Sequence, residues 1–316
     1  MDVSSLLFGH SKALYSTWVC YKPDRLLVDC GEGAATALGN GGFAIERVLL
    51  THGHLDHISG LPSLLWSRAS AMGDTEKPLA IYYPRDDTYV AAMQAYLEHI
   101  RSRLTYELRW IPLDSGDSFD LNNSANEDHE RSDRKTGGGR HTRRIVAFPT
   151  QHSRGHLTLG YKIVETRRRL KPEYTGLSQD EIRRSARDKG TDGARELSEE
   201  YEATLVAFGG DGLPLNPEVV RGCELLLHEA TILDPAERKH QLHSTLDEAV
   251  AVAAKVRPKA LLLYHVSGRY RRSDIIRAAH ESAARYGVKF PVWCLFRDRL
   301  WQILPNDIGH REGENR

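Results

Sequence analysis

A cluster of ligand-type side chains follows a short apolar run near residue 50 and limits what this chain can be. The run Arg47–Leu50 has the length and composition of a buried strand. The ligand-type residues after it are His52, His54, Asp56 and His57. On an extended chain His52 and His54 project to the same side. Imidazole and carboxylate groups are ligands that Zn²⁺ prefers, so the pattern predicts a metal centre at a strand end.

Other apolar runs also resemble buried strands and also end at polar, ligand-type residues. They are 25–28 before Asp29, 145–148 before His152, 204–208 before Asp211, 225–227 before His228 and Glu229, and 261–264 before His265. Each of these runs has the length and composition of a buried strand. The strand ends are therefore expected to bring functional residues together along a sheet edge.

Helical segments are expected between these strands. They are Leu61–Ala71, Tyr89–Leu104, Leu246–Val256 and Arg272–Tyr286. The last of them places Ile275, Ile276, Ala279 and Ala283 on one face. Ser244 or Thr245 is the expected N-cap of the helix that begins near Leu246.

We expect a single domain over residues 1–316, with two segments outside its core. Residues 121–143 are polar and glycine-rich, which predicts a flexible insertion loop. Residues 166–200 are highly charged and interrupt two core strands, so they are expected to project as an arm.

Composition excludes several classes of protein. The 43 Lys and Arg balance the 43 Asp and Glu, so only a local basic patch could indicate a nucleic-acid partner. The four cysteines show no CxxC spacing, which excludes a zinc ribbon and makes a disulfide framework unexpected. Residues 1–12 lack the pattern of a leader, and no apolar run approaches about 18 residues. A cytoplasmic protein without a membrane segment is expected.

The HxHxDH pattern after an apolar strand resembles the signature of the metallo-β-lactamase superfamily. The resemblance implies an αβ/βα sandwich of two mixed sheets flanked by helices. It also implies two Zn²⁺ ions, with Mn²⁺ or Fe²⁺ as alternatives, which activate a hydroxide for attack. The ligands implied for one ion are His52, His54, His152 and Asp211. Those implied for the other are Asp56, His57, Asp211 and His265. Asp29 is expected to hold these ligands in position without binding the metal itself.

Three further segments resemble the short form of ribonuclease Z, the endonuclease that removes the 3′ trailer from precursor tRNA. They are Leu227–Thr231, which reads LHEAT, His243-Ser244-Thr245, and His265–Tyr270. The resemblance implies that His243 donates a proton to the leaving oxygen. It also implies that Ser267 and Arg269 bind the phosphate oxygens of the substrate. We further expect Asp56 to accept a proton from the attacking hydroxide while it remains a metal ligand. Glu229 is expected either to orient His243 or to satisfy buried backbone groups.

Residues 168–177 and 180–182 of the charged segment resemble the exosite arm of this family. It implies that Arg168, Arg169 and Lys171 contact RNA. It also implies a homodimer, because in that family the arm of one subunit presents tRNA to the other. The segment 9–17 departs from the family, since it keeps Lys12 but lacks an Arg-Asn pair.

Several alternatives stay open at this point. His243 is alternatively a capping or surface residue, Arg269 an ion-pair partner, and the run 167–171 a solvated helix end. A phosphodiesterase for small substrates, such as cyclic nucleotides or other diesters, would use the same residues. A thioester or lactone hydrolase and a non-catalytic binding protein are further hypotheses.

Overall fold

The structure is a computed structural model, and it describes residues 1–70, 77–121, 142–152, 155–190, 193–238 and 242–304. Two mixed β-sheets pack against each other, and helices cover their outer faces. The expected sandwich of two mixed sheets flanked by helices is confirmed.

The first sheet is built from the N-terminal part of the chain. Its strands, in spatial order, are β1 (Leu7–Lys12), β2 (Ser16–Tyr21), β3 (Leu26–Val28), β4 (Arg47–Leu49), β5 (Leu79–Pro84) and β6 (Leu108–Leu113). β1 to β3 pair antiparallel, and β3 to β6 pair parallel. The helices of this part are α1 (Val3–Leu6), α2 (Ala34–Leu38), α3 (Leu55–Ile58), α4 (Leu61–Ala69) and α5 (Thr88–Arg101).

The second sheet follows in the chain. Its strands are β7 (Ser118–Asp120), β8 (Arg143–Pro149), β9 (Leu159–Leu170), β10 (Ser198–Phe208), β11 (Leu225–Glu229), β12 (Ala260–Tyr264), β13 (Val292–Phe296) and β14 (Arg299–Leu304), and each neighbours the next in space. β10 to β13 are parallel, and the other pairs are antiparallel. The helices are α6 (Gln179–Asp188), α7 (Gly193–Glu196), α8 (Leu246–Val256) and α9 (Arg272–Tyr286).

Apolar side chains from both sheets meet in the central layer of the core, where Leu49 and Tyr82 of the first sheet join Tyr161 and Leu262 of the second. α8 and α9 cover the outer face of the second sheet. β3, β4, β11 and β12 are buried along their whole length. Strands covered on both faces need apolar residues at every position, which explains why they were visible in the sequence as continuous runs.

The six predicted strands and the four predicted helices are all present. The strands belong to two sheets, however, so the expectation of one sheet edge is wrong, and the strand ends instead meet at one end of the sandwich. Thr245 is the N-cap of α8 and forms a capping box with Glu248.

β9 and β10 extend beyond their neighbours in the sheet. They pair with each other as far as Leu170 and Ser198. The ladder between β8 and β9 ends at Glu165, and β11 pairs with β10 only from Val206. The outer half of this pair therefore leaves the sheet as a two-stranded ribbon, which carries α6 and α7. The segment predicted to project, 166–200, lies on this ribbon.

Two predictions about organisation stay predictions. Apart from its ends, the insertion at 121–143 lies outside the described residues, and the single-domain organisation over 1–316 is likewise untested. Within the described parts of the chain, no helix combines the length and the apolar character that crossing a membrane requires.

Candidate metal centre

The predicted ligands converge from both sheets onto one end of the sandwich. His52 and His54 follow β4, and the one-turn helix α3 turns Asp56 and His57 back toward them. From the second sheet, His152 follows β8, Asp211 follows β10 and His265 follows β12. Five of the seven are buried, and His54 and Asp56 are partly exposed. One side of the centre is therefore open to solvent.

Three histidines form the first group of ligand atoms. His54 Nδ1 lies 3.0 Å from His52 Nε2 and 3.1 Å from His152 Nε2. Nitrogen atoms this close together can bind one cation from three directions.

The second group consists of Asp56, His57, Asp211 and His265. Asp211 Oδ2 lies 3.0 Å from His265 Nε2 and 3.3 Å from His57 Nε2. Asp56 Oδ2 lies 3.4 Å from His265 Nε2 and 3.6 Å from His57 Nε2. Two carboxylates thus face two imidazoles around a common point.

Asp211 joins the two groups, since its carboxylate lies near the ligand atoms of His52 and His152 as well. Its Oδ1 atom is buried and has no hydrogen-bond partner among the described residues, and the same is true of His57 Nε2. Buried polar atoms are rarely left unpaired in native proteins. These orphaned atoms and the nitrogen and oxygen donor set fit divalent cations.

Neighbouring groups orient four of the imidazoles through Nδ1. His57 Nδ1 donates to Asp29 Oδ2 at 2.8 Å, and His152 Nδ1 donates to the Leu242 carbonyl at 2.9 Å. His52 Nδ1 lies 3.0 Å from Thr51 Oγ1, and His265 Nδ1 lies 2.9 Å from Thr231 Oγ1. Each Nε2 atom is left with its lone pair directed at the ligand groups.

The electrostatics of the pocket favour the metal-binding form of Asp211 and His52 but not of every proposed ligand. Burial raises the pKa of the Asp211 carboxyl, but His265 and His57 beside it more than reverse this, and the net pKa lies well below the ordinary value. Burial and the neighbouring His57 hold the pKa of His52 well below its usual range. An ionised carboxylate and a neutral imidazole are the states that coordination requires. Burial lowers the pKa of His57 and of His265, but Asp211 beside them raises it more, to well above the ordinary value for His57 and to about 9 for His265. Binding of a cation to these two imidazoles therefore releases protons.

His243 lies beside both ligand groups. Its ring centroid is 4.8 Å from that of His152 and 5.3 Å from that of His265. His243 Nδ1 donates to Glu229 Oε1 at 2.9 Å. Burial lowers the pKa of His243, but the hydrogen bond with Glu229 raises it more, so the net pKa is above its ordinary value. The structure thus places a readily protonated imidazole next to the candidate metal site.

Glu229 fulfils both of the roles between which the sequence left a choice. Besides orienting His243, its Oε1 accepts from the Gly212 N–H at 2.9 Å. Its Oε2 accepts from the Thr231 N–H at 2.9 Å and from the Thr231 hydroxyl at 2.5 Å. Four hydrogen bonds satisfy this buried carboxylate, and they hold the Asp211 loop against the His243 segment.

Arg269 and Ser267 lie after β12, on the outer side of His265. Arg269 Nε donates to Ser267 Oγ at 3.0 Å, and Arg269 Nη1 pairs with Glu237 Oε2 at 3.1 Å. Arg269 is therefore an ion-pair partner in this structure, which is one of the two roles left open by the sequence. Exposed ion pairs contribute little free energy, so an incoming phosphate could replace Glu237 at small cost.

Two of the three arm residues that are predicted to contact RNA form ion pairs with acidic residues of the ribbon. Arg168 pairs with Glu200 at 2.6 Å, and Arg169 pairs with Glu199 at 2.8 Å across the ribbon. Lys171 is partly buried. Further cations on the arm, which sequence analysis did not single out, are the exposed Arg183, Arg184 and Arg187 of α6.

The turn between β1 and β2, part of the segment 9–17 that was compared with the family, also reaches the site through a contact that the sequence did not indicate. The Leu14 N–H donates to Asp56 Oδ2 at 3.1 Å. Leu14 and Tyr15 are 79% and 63% exposed, and Lys12 Nζ lies 3.5 Å from the centroid of the Tyr15 ring. A contact between residues 42 positions apart leaves no local pattern in a sequence.

Gly53 is required for the path between His52 and His54. A Cβ atom there would lie 2.3 Å from Asp87 Oδ1 and 2.7 Å from Tyr89 Cβ. Asp87 cannot move freely, because its Oδ1 caps α5 through the N–H groups of Tyr89 and Val90.

We expect Gly53→Ala to lower both the melting temperature and the amount of bound metal, measured by calorimetry and elemental analysis. Gly41→Ala is the control, since a Cβ there meets no atom within 4 Å; equal results for the two variants would contradict this account.

The chain is similar in sequence and in fold to several known proteins. Residues 24–171 match the family model described as "Beta-lactamase superfamily domain". The protein named "Ribonuclease Z" from Methanopyrus kandleri is 30% identical over 285 residues, which cover 87% of this chain and 86% of that protein. Among solved structures, the metallo-β-lactamase fold protein YhfI from Bacillus subtilis has a TM-score of 0.58 at 17% identity, covering 94% of this chain and 98% of that one. The short form of human tRNase Z has a TM-score of 0.56 at 20% identity, with the same coverage.

Proposed function

This chain belongs to the ribonuclease Z family, and from that membership we propose that it is a metal-dependent endoribonuclease that removes the 3′ trailer of precursor tRNA. The observation that carries the proposal is the pairing of His243 with Glu229 beside the ligand groups. A hydrolase that breaks a phosphodiester bond needs a proton for the departing oxygen. A raised pKa makes His243 suited to this task.

The proposed metal content is two Zn²⁺ ions, with Mn²⁺ or Fe²⁺ as alternatives. His52, His54, His152 and Asp211 would hold one ion, and Asp56, His57, Asp211 and His265 the other. When bound, the ions supply Lewis acidity, which activates the attacking water and neutralises charge on the phosphate. Mixed imidazole and carboxylate donors favour zinc among the divalent ions.

The remaining steps are assigned to side chains of the chain itself. Asp56, which the Leu14 N–H holds in place, accepts the proton of the attacking water. Arg269 exchanges Glu237 for a phosphate oxygen of the substrate, and the neighbouring Ser267 hydroxyl donates to the same phosphate. His243 holds its proton on Nε2, because Nδ1 is occupied by Glu229, and passes it to the leaving oxygen.

RNA is the proposed partner, and the arm is its proposed second contact. The ribbon carries cations on β9 and on α6, well outside the ligand groups. A homodimer is part of the proposal by analogy with the family, in which one subunit's arm serves the other's site. A cytoplasmic location is proposed with it.

We expect the double variant Arg169→Ala/Lys171→Ala to raise KM for precursor tRNA and to leave turnover of bis(p-nitrophenyl) phosphate unchanged. The slope of log binding constant against log salt should fall by about one for each phosphate-binding side chain that is removed. The control is Glu199→Ala, which frees Arg169 of its ion pair and should not weaken binding. Unchanged tRNA binding and salt slope in the double variant would exclude these two residues as RNA contacts.

The function itself is tested with a 3′-extended precursor tRNA, bis(p-nitrophenyl) phosphate and cyclic AMP as parallel substrates for the zinc-loaded protein. A single cut at the start of the trailer supports the proposal. Hydrolysis of the small diesters alone would reject tRNA and favour the second candidate, a phosphodiesterase for small substrates. That candidate draws support from the ion pairs that compensate Arg168 and Arg169.

A further inference from the structure

Two matched arrangements of a carboxylate, a threonine and a histidine flank the ligand groups, one on each sheet. In the first, Asp29 accepts from the Thr51 N–H at 2.8 Å and from its hydroxyl at 3.0 Å, and Thr51 Oγ1 lies 3.0 Å from His52 Nδ1. In the second, Glu229 accepts from the Thr231 N–H at 2.9 Å and from its hydroxyl at 2.5 Å. Thr231 Oγ1 lies 2.9 Å from His265 Nδ1.

The direction of each hydrogen bond follows from the chemistry of the groups. A hydroxyl has one hydrogen, and an ionised carboxylate only accepts. Each threonine therefore donates to its carboxylate and accepts from the Nδ1–H of its histidine. This fixes the tautomer of His265 and directs its Nε2 to within 3.0 Å of Asp211 Oδ2. Both threonines are buried, so water does not replace these bonds.

The two arrangements differ in the second partner of the carboxylate. Asp29 Oδ2 also accepts from His57, which is another proposed ligand. Glu229 Oε1 instead accepts from His243, which is the proposed proton donor. The Thr231 arrangement therefore connects a ligand with the proton donor, whereas the Thr51 arrangement connects two ligands.

We propose that Thr231 is a positioning residue that sets the orientation of His265 and His243 together, through Glu229. Without its hydroxyl, the His265 Nδ1–H loses its acceptor and Glu229 Oε2 keeps only the Thr231 N–H. The carboxylate then keeps three of its four hydrogen bonds, so its orientation, and with it that of His243, is less tightly fixed. The part concerning His243 rests on the proposed function, and the part concerning His265 depends only on metal binding.

The test compares Thr231→Val with Thr51→Val, since both replace a buried hydroxyl by a methyl group of similar volume. Metal affinity is measured by competition with a chromophoric chelator. We expect both variants to bind Zn²⁺ about 10–100-fold more weakly, as is typical when such an outer partner is removed. Thr158→Val is the control for deleting a buried hydroxyl, because Thr158 bonds only to Thr150 among these groups, and its affinity should match the unaltered protein.

Turnover at saturating Zn²⁺ distinguishes the role of Thr231 from that of Thr51. p-Nitrophenolate leaves readily without a proton, whereas the oxygen leaving from RNA needs one. We expect Thr231→Val to lower the ratio of kcat on precursor tRNA to kcat on bis(p-nitrophenyl) phosphate by about 10–100-fold, with KM little changed. Thr51→Val should leave that ratio unaltered. Thr231→Ser, which restores the hydroxyl, should recover both the affinity and the ratio.

Three results would overturn the proposal. They are an unaltered zinc affinity in Thr231→Val, an equal fall of the kcat ratio in both valine variants, and no recovery in Thr231→Ser. If Thr231→Val does not fold, Thr231→Ala carries the same comparison. If the unaltered protein cleaves no RNA, the proposed function fails, while the chelator measurements still decide whether Thr231 orients His265.

Discussion

Replacing Asp211 with alanine is expected to remove the bound metal and with it all measurable hydrolysis of any phosphodiester. Asp211 lies near ligand atoms of both groups, at 3.0 Å from His265 Nε2 and close to those of His52 and His152. Its removal leaves each proposed ion short of a ligand and leaves neighbouring imidazoles without a counter-charge. Elemental analysis after purification measures the metal, and initial rates on bis(p-nitrophenyl) phosphate measure hydrolysis.

The fold should also lose stability in this variant. Removing one partner of a buried charged group costs about 3–5 kcal/mol, and Asp211 is 2% exposed. Asp211→Asn tests whether the charge or the volume of the side chain matters, since the amide fills the same space but binds metal poorly. This variant should lose metal to nearly the same extent as Asp211→Ala. Full metal content in either variant would show that Asp211 is not a shared ligand.

The variant His243→Ala is expected to keep its metal and to lose about a hundredfold to ten-thousandfold in kcat on precursor tRNA, the range typical of general acid catalysis. His243 lies close to His152, Asp211 and His265, but its Nδ1 is engaged by Glu229, and the proposed ligand sets do not include it. The loss should be much smaller on bis(p-nitrophenyl) phosphate, whose leaving group needs no proton.

The exposed His99 of α5 supplies the control, because it is remote in sequence from every motif and His99→Ala should match the unaltered protein in both assays. Loss of zinc from His243→Ala would instead make His243 a ligand. A full rate on precursor tRNA would assign the proton transfer to another group.

Much of the fold was predictable because its strands are buried on both faces. β4, β11 and β12 are buried at every position, and a chain of this kind shows its strands as short, largely apolar runs. β1 and the outer half of β10 alternate or carry charge, and they were not singled out. The division of the strands between two sheets has no local signal, because it depends on which strands pair.

The candidate site shows the same limit. The spacing of His52, His54, Asp56 and His57 is fixed by local backbone geometry, so the sequence alone predicted that these residues act together. The structure places His152, Asp211 and His265 beside them from three other strand ends, and the assignment of these residues to two ions stays a prediction.

Tertiary structure alone decided how these side chains are held and charged. The dual role of Glu229, the contact of Leu14 with Asp56 and the pairing of Arg168 with Glu200 each join residues far apart in sequence. A hydrogen bond or an ion pair depends on distances of a few tenths of an ångström, which packing sets and sequence spacing does not. The sequence by itself determined the buried strands and the cluster of ligand-type residues that follows β4, and the packing of the two sheets decided which neighbours orient and neutralise each functional group.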